Sequence, residues 1–204
     1  MGASATTIAA AYPKGASIAA QIVDVSRRLG LPDPAMLANV INFESGFSPA
    51  ARNPASGATG LIQFMPSTAA RLGTSTDALA RMSASQQMAY VYAYFAPYAG
   101  RLTTQADVYA AVFYPAAIGK GAGYTFSTSV QKANPGIRTM GDYTRLANGR
   151  AKLAAVEGLL AWNAVVQALG GTERVLWGSA LVGGAILALL AYRRRRSAPA
   201  QGNE

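Results

Sequence analysis

Residues 42–67, NFESGFSPAARNPASGATGLIQFMPS, decide the fold of the main part of this chain. They place one glutamate, Glu44, between Phe43 and Phe47, and continue into a loop of small and polar residues. Glycines such as Gly60 permit tight or left-handed turns in a loop of this kind. The stretch therefore predicts a helix end that carries an acid, followed by a turn-rich segment.

The helix that leads to Glu44 is predicted to begin at Asp33 and Pro34, an N-cap residue and a first-turn proline. Leu37, Ile41 and Glu44 follow i, i+4, i+7 spacing, so the glutamate shares a stripe with residues that face the core. A carboxyl group in an apolar setting is costly to ionise, which would raise its pKa and suit it to donate a proton. The alternative is that the glutamate turns outward at a fraying helix end.

Apolar residues recur at helical spacing from residue 15 to residue 114, which predicts an all-α (mainly α) fold. Ser83 with Gln86 is a capping-box pattern, and Thr104 with Asp107 opens the next helix. The predicted helices include residues 15–28, 33–44, 67–72, 83–95 and 104–114. By contrast, the glycines and turn signals of residues 116–150 predict a lobe of loops that closes over the helical body.

The chain lacks both cysteine and histidine, which excludes several kinds of site. Without them there can be no disulfide, thiolate zinc site, cysteine nucleophile or Ser-His-Asp triad. No metal site and no cofactor is predicted. General acid or base chemistry must then use one of nine acidic residues, or else a lysine or a tyrosine. The acidic residues are Asp24, Asp33, Glu44, Asp77, Asp107, Asp142, Glu157, Glu173 and Glu204.

The apolar segment at residues 175–192, VLWGSALVGGAILALLAY, carries no charge over 18 positions, which is long enough to span a lipid bilayer. Trp177 and Tyr192 lie near its two ends, where aromatic residues favour the headgroup zone. Small residues spaced four apart, such as Ser179 and Gly183, could support helix self-association in the membrane. The alternative is a buried helix of a soluble core, but the basic run that follows fits a membrane edge better.

That basic run consists of Arg193, Arg194, Arg195 and Arg196. It could contact anionic lipid or nucleic acid, and the formal net charge of +9 adds to the attraction for polyanions. Because arginine runs favour the cytoplasmic side of a membrane, we expect the C-terminus to stay on the cytoplasmic or virion-interior side.

The chain is expected to have parts of different character. Residues 1–14 are small and polar and form a flexible arm that lacks the apolar core of a secretory signal. A helical domain at 15–150 is followed by a connector helix at 151–171, a transmembrane helix at 175–192 and a basic tail at 193–204. The protein is therefore predicted to be membrane-associated through one C-terminal helix.

Two ordered motifs in the central stretch resemble the Glu-Ser and Gly-Leu-x-Gln signatures of the soluble-lytic-transglycosylase type. The matching residues are Glu44-Ser45, Gly60-Leu61-Ile62-Gln63, Met65-Pro66 and Thr68-Ala69. That family consists of lysozyme-like, α-helical enzymes that act on peptidoglycan. The resemblance extends over residues 15–125 and implies a lysozyme-like domain whose partner is the glycan strand.

A third signature of that family, Ala-Tyr-Asn, is only partly present. Residues 111–116 read AVFYPA, so Tyr114 takes the place of the tyrosine and Pro115 replaces the asparagine. A variant of this kind is similar to virion-associated wall-degrading enzymes of bacteriophages. The resemblance thus implies a virion component that opens the cell wall locally during phage genome entry.

The resemblance implies a reaction that needs only one carboxyl group. Ordinary glycoside hydrolysis uses two, whereas the motif region offers only Glu44. This residue would protonate the oxygen between N-acetylmuramic acid and N-acetylglucosamine. As a carboxylate it would then accept a proton from the muramic 6-hydroxyl, whose oxygen attacks C1. The product is a 1,6-anhydro end, and no water is consumed.

Roles for the other motif residues around the glycan strand also follow from the resemblance. Ser45 would contact the substrate beside the cleaved bond, while Gly60, Leu61 and Gln63 would line the sugar subsites. Tyr114 would orient the catalytic acid by a hydrogen bond. The alternative for Ser45 and Gln63 is ordinary capping and loop hydrogen bonding.

Two other functions are open from the sequence. A goose-type lysozyme would hydrolyse the same bond, adding one water per cleavage, and would need an acid such as Asp77 to hold that water. A non-catalytic structural protein of a virion or membrane would bind glycan through its lysozyme-like domain and polyanions through its arginine run. Mass spectrometry of a peptidoglycan digest separates the two enzymes by one water per cleavage. A turbidity assay identifies a pure binder, because it would clear nothing.

Overall fold

The computed structural model describes residues 2–149, and helices account for most of their regular structure. The α-helices are α1 (Ala5–Ala11), α2 (Ala19–Leu29), α3 (Ala35–Ser45), α4 (Pro66–Arg71), α5 (Thr76–Arg81), α6 (Ala84–Phe95), α7 (Gln105–Phe113) and α8 (Thr128–Ala133). Residues 140–149 are also helical and are called α9. Short 3-10 helices lie at Pro13–Ile18, Ala96–Tyr98 and Pro115–Ala117. Within residues 2–149 extended pairing is limited to isolated bridges, which is consistent with an all-α, lysozyme-like domain.

Helices α6 and α7 begin at the capping residues that the sequence predicts, whereas the N-cap of α3 is Pro34 instead of the predicted Asp33, which still accepts the N–H of Ala35 at 2.9 Å. Both capping boxes form, Ser83 with Gln86 at α6 and Thr104 with Asp107 at α7. Each pair satisfies N–H groups that have no partner in the first turn of a helix. Helix α3 ends at Gly46 in the left-handed conformation, with a φ of 57°, which glycine adopts at little cost.

Helix α3 lies at the centre of the core. Four side chains of α3 that precede Glu44 are 0 % exposed: Leu37, Ala38, Val40 and Ile41. Full burial of one aliphatic side chain stabilises a fold by roughly 1.5–3 kcal/mol. Tertiary packing of this kind provides most of the stability of a helix. The buried face of α3 therefore fixes the position of the last turn, which carries Glu44.

The N-terminal residues pack onto the helical body instead of forming a flexible arm. Residues 5–11 form α1, whose Ile8 is 1 % exposed. Tyr12 packs against Phe47, with the ring centroids 5.4 Å apart. The prediction of a loose segment at residues 1–14 is therefore wrong for the described part of that segment, because these two side chains supply enough apolar surface to dock it.

The predicted lobe of loops at residues 116–150 contains helices α8 and α9. Helix α9 begins with its own reciprocal cap: the N–H of Thr139 donates to Oδ2 of Asp142 at 2.8 Å, and the N–H of Asp142 donates to Oγ1 of Thr139 at 3.2 Å. The prediction of loops is wrong here because this cap offsets the low helix propensity of Gly141.

The C-terminal predictions lie outside the described residues. They are the connector helix at 151–171, the transmembrane helix at 175–192 with its self-association, and the lipid or nucleic acid contact of Arg193, Arg194, Arg195 and Arg196. Among residues 2–149, none of the helices combines the length and the apolar character that crossing a bilayer requires. The C-terminal assignments and the domain boundaries thus stay predictions.

Candidate active site

Glu44 lies in the last turn of α3, and its side chain is half-buried. The hydroxyl of Tyr143, on α9, donates a hydrogen bond to Oε1 of Glu44 at 3.1 Å. The glutamate is therefore neither enclosed in the core nor turned away into solvent. Its carboxyl group is held at the surface of the helical body by a side chain from a distant part of the chain.

Aromatic packing fixes the ring of Tyr143. Phe113 stacks on it with the centroids 4.2 Å apart and an angle of 11° between the planes. Phe43 and Tyr109 contact it edge to face, at 5.5 and 6.0 Å. Offset and edge-to-face pairs of this kind each stabilise by about 0.5–1.5 kcal/mol beyond their buried area. The hydroxyl that meets Glu44 is thus positioned by rings from α3 and α7.

Two further tyrosines lie within the electrostatic field of Glu44. Burial raises the pKa of Tyr94 to about 12, and the charges of Tyr98 and Glu44 act in the same direction. Burial, followed by Tyr12 and Glu44, also raises the pKa of Tyr109. Both hydroxyls therefore stay protonated at neutral pH. Neither can replace the glutamate as a base.

The Gly-Leu-Ile-Gln sequence forms a tight turn. Thr59 and Phe64 exchange two main-chain hydrogen bonds, of 2.8 and 3.0 Å, and the turn projects beyond them. Gly60 has a φ of 88° and Gln63 a φ of 53°. A left-handed backbone is uncommon at residues other than glycine, and strain of this kind concentrates at functional sites.

Ser45 connects the two motifs. Its hydroxyl donates to the carbonyl oxygens of Leu61, at 2.9 Å, and Ile41, at 3.0 Å, as one shared hydrogen bond. A serine hydroxyl has a single hydrogen, and here carbonyl oxygens take it. Towards a bound ligand, Ser45 can consequently act only as a hydrogen-bond acceptor.

Gln63 is oriented in a similar way. Its Nε2 donates to the carbonyl oxygens of Gly60, at 3.1 Å, and Ala51, at 3.2 Å. Because both neighbours are acceptors, they fix which end of the amide points inward. None of the described residues donates to Oε1, so that oxygen is an acceptor for a ligand.

Tyr114 does not make the hydrogen bond to Glu44 that the family resemblance implies. Its ring packs against Tyr124 and Phe126, at centroid distances of 6.0 and 5.5 Å, and a hydrogen bond with Tyr124 raises its pKa. The bond to Glu44 comes from Tyr143 instead. The reason is that α7 ends at Phe113, and the backbone of Tyr114 is no longer helical, with a ψ of 84°, where the chain enters the 3-10 helix at Pro115–Ala117.

The geometry thus brings Glu44-Ser45 and the Gly-Leu-x-Gln turn together through the Ser45–Leu61 hydrogen bond. Residues 30–110 match the transglycosylase SLT domain. The SLT match supports the lytic-transglycosylase, lysozyme-like family. No curated protein and no solved structure shows significant similarity to the chain. The SLT-like region includes Glu44 and Gln63 but ends before Tyr114 and Tyr143.

The other described carboxylates have structural partners. Asp24 pairs with Arg27, Asp77 pairs with Arg52 at 2.7 Å, and Asp142 pairs with Arg145. Asp33 accepts from main-chain N–H groups, and Asp107 accepts from Gly119 and from the cap of α7. Within residues 2–149 no group of three or more acidic residues is placed to hold a metal ion.

Sequence reasoning missed two residues around the SLT-like region, Tyr143 and Gln87. The signal for Tyr143 was the Thr139–Asp142 spacing, a capping-box pattern that predicts a helix after residue 139. The signal for Gln87 was a polar residue four positions before Val91 on the apolar face of α6, where a buried side chain is expected to be apolar.

Proposed function

We propose that this protein is a peptidoglycan lytic transglycosylase that cleaves the β-1,4 bond between N-acetylmuramic acid and N-acetylglucosamine. The observation that carries the proposal is the 2.9 Å hydrogen bond from Ser45 to Leu61, because it joins the Glu-Ser and Gly-Leu-x-Gln motifs beside one half-buried glutamate. The SLT match over the same residues supports the substrate class.

The proposed reaction uses Glu44 twice. As a carboxylic acid it gives its proton to the glycosidic oxygen, and the bond from that oxygen to C1 of the muramic residue breaks. As a carboxylate it then takes the proton of the muramic 6-hydroxyl while the hydroxyl oxygen bonds to C1. The acid is thereby regenerated, and the products are a 1,6-anhydro end and a free 4-hydroxyl. Tyr143 orients the carboxyl group through both steps.

The engagement of the other carboxylates supports this reaction over hydrolysis. A hydrolase needs a second group to activate water or to act as nucleophile. Asp77, the residue that a goose-type lysozyme reaction would call on, forms a 2.7 Å ion pair with Arg52, and its side chain is 64 % exposed. An intramolecular attack by the 6-hydroxyl needs no such group.

The side chains of Ser45 and Gln63 would accept hydrogen bonds from the glycan. Ser45 and Gln63 present acceptor oxygens, so they suit the hydroxyl and acetamido N–H groups of the sugars. Gly60 and Leu61, which form the turn between them, would line the same subsites. Tyr114 is proposed as a substrate contact on the neighbouring aromatic surface with Tyr124, and not as a residue that orients the acid.

Mass spectrometry of muropeptides tests the function. The protein is incubated with purified peptidoglycan, beside Glu44→Gln and Asp77→Asn variants. We expect anhydro-ended fragments from the parent protein and from Asp77→Asn, and none from Glu44→Gln. Fragments heavier by one water per cleavage, lost in Asp77→Asn, would establish hydrolysis instead. Binding without cleavage by the parent protein would establish the non-catalytic alternative.

The setting of the activity is a separate part of the proposal and rests on the sequence. The apolar segment at 175–192 and the arginine run after it would anchor the enzyme in a bilayer, and the enzyme would act as a virion component during phage genome entry. Flotation with anionic vesicles tests the anchor: the full chain should float, and a chain that stops at residue 171 should not.

A further inference from the structure

Gln87, on α6, is a polar side chain that is 0 % exposed. Its Oε1 accepts the N–H of Leu61 at 2.8 Å. Its Nε2 donates to the carbonyl oxygens of Pro49, at 2.7 Å, and Leu79, at 2.8 Å. One amide thus ties helix α6 to α5, to the loop just after Glu44 and to the Gly-Leu-Ile-Gln turn.

Gly60 fits this arrangement closely. A Cβ atom at that position would lie 2.5 Å from Oε1 of Gln87, well inside van der Waals contact. The glycine is therefore needed for its φ of 88° and also for the approach of the amide to the turn. Part of the Gly-Leu-x-Gln pattern is explained by this buried neighbour.

A second hydrogen bond connects the turn to the end of α3 that carries Glu44. The N–H of Leu61 donates to Gln87, and the carbonyl oxygen of Leu61 accepts from Ser45, which is adjacent to Glu44. The same turn sets the left-handed backbone of Gln63. Removing the amide would leave the N–H of Leu61 buried without an acceptor, a cost that the turn can avoid only by moving.

We propose that Gln87 is a positioning residue for glycan cleavage: it acts through Leu61 to hold Ser45 and Gln63 at the distances that the reaction requires. The inference rests on the proposed function, and it adds a residue that contacts no substrate. A residue with a merely structural role would lower stability without changing turnover at temperatures where the protein stays folded.

Steady-state kinetics on soluble, uncross-linked glycan strands separate the two roles. Gln87→Met keeps the length of the side chain and removes its hydrogen bonds. Val91→Ala, on the same helix and also 0 % exposed, is the matched control for lost stability. We expect kcat to fall about 10- to 100-fold in Gln87→Met, as displacement of a positioned group by about 1 Å can cause. Val91→Ala should stay within about twofold of the parent protein.

Equal losses in the two variants, or no loss in Gln87→Met, would overturn the inference. Should Gln87→Met fail to fold, Gln87→Glu decides the question. Its neutral carboxyl group can donate to one of the two carbonyl oxygens, whereas its carboxylate can donate to neither. The activity of Gln87→Glu relative to the parent protein should therefore rise as the pH falls, and a ratio that is independent of pH would contradict the inference.

Hydrogen exchange at the Leu61 amide tests the bond without any cleavage assay. We expect exchange there to be at least about tenfold faster in Gln87→Met, whose side chain offers the N–H no oxygen acceptor, than in Val91→Ala. Unchanged protection would refute the role of Gln87. If the parent protein cleaves no glycan, the proposed function fails, while this exchange measurement still decides whether Gln87 holds the turn.

Discussion

The hydroxyl of Tyr143 donates to Oε1 of Glu44 at 3.1 Å, a contact between residues 99 positions apart. The tyrosine lies on α9, beyond the residues 30–110 that match the SLT domain. Its ring is held by Phe113, at a centroid distance of 4.2 Å. The candidate active site is therefore completed by a helix that the family match does not include.

Replacing Tyr143 with phenylalanine should lower kcat/KM by about 10-fold or more while the fold persists. The reason is that a hydrogen bond to a charged group is worth about 1.5–3 kcal/mol, and the ring that packs on Phe113 is retained. The measurement is the initial rate on soluble glycan strands, with circular dichroism to confirm folding.

Tyr114→Phe is the matched control for that experiment. It removes a hydroxyl that bonds with Tyr124, on the neighbouring aromatic surface. We expect it to affect KM more than kcat, since its proposed role is substrate contact. If Tyr114→Phe lowered kcat as much as Tyr143→Phe, the assignment of Tyr143 as the orienting residue would be wrong.

Gly60→Ala should destabilise the protein by roughly 2–4 kcal/mol. The cost combines the left-handed backbone, about 1–2 kcal/mol, with the displacement of Gln87, because the new Cβ would lie 2.5 Å from Oε1. Gly73→Ala is the control, since Gly73 has a φ of 74° but open space around it, and we expect only the backbone cost there. Urea unfolding measures both, and equal losses would show that the contact with Gln87 is unimportant.

Lowering the pH should remove the stabilisation that Asp142 gives to the first turn of α9. Hydrogen bonds from the backbone of Thr139, then from that of Arg138 and from the Thr139 hydroxyl, lower the pKa of Asp142 to about 2. The pKa in the unfolded chain is about 3.9. Because the folded value is the lower one, the carboxylate stabilises the fold fully above about pH 4, and this contribution disappears as the pH falls towards 2.

The test compares Asp142→Asn with the parent protein by urea unfolding between pH 6 and pH 2. The difference in unfolding free energy should be largest above about pH 4 and should shrink towards pH 2. Asp107 also has a lowered pKa: its burial acts upward, but hydrogen bonds from Gly119, Thr104 and Thr103 outweigh it. That group is present in both proteins, so it does not contribute to the difference. A difference that stays constant with pH would contradict the assignment.

Asp107→Ala should cost roughly 2–4 kcal/mol of unfolding free energy. Asp107 is 3 % exposed and accepts from Gly119 N–H at 2.7 Å and from Thr104 N–H at 3.0 Å, so its removal leaves buried donors without an acceptor. Gln86→Ala is the control, because Gln86 occupies the same position in the exposed capping box of α6. We expect about 0.5–1 kcal/mol there, and similar losses in the two variants would contradict this account of Asp107.

The sequence by itself determined the local features of this protein. The apolar stripe of Leu37 and Ile41 placed Glu44 near the end of a helix, and the capping boxes at Ser83 and Thr104 set where two helices begin. The Gly-Leu-x-Gln pattern indicated a turn with a special backbone. These features depend on residues within a few positions of each other, and their physics acts within one turn of helix or one loop.

Only the tertiary structure decided which side chains meet Glu44 and its motif. Tyr114 and Tyr143 are both tyrosines at helix ends in an aromatic part of the chain, and their local sequence does not distinguish which one reaches the acid. Phe113 stacks on Tyr143 and thereby settles the choice. Likewise, a buried glutamine at position 87 is tolerated only because Pro49, Leu61 and Leu79 converge on it. Contacts of this kind form between distant segments, so their energies exist only once the helices have packed.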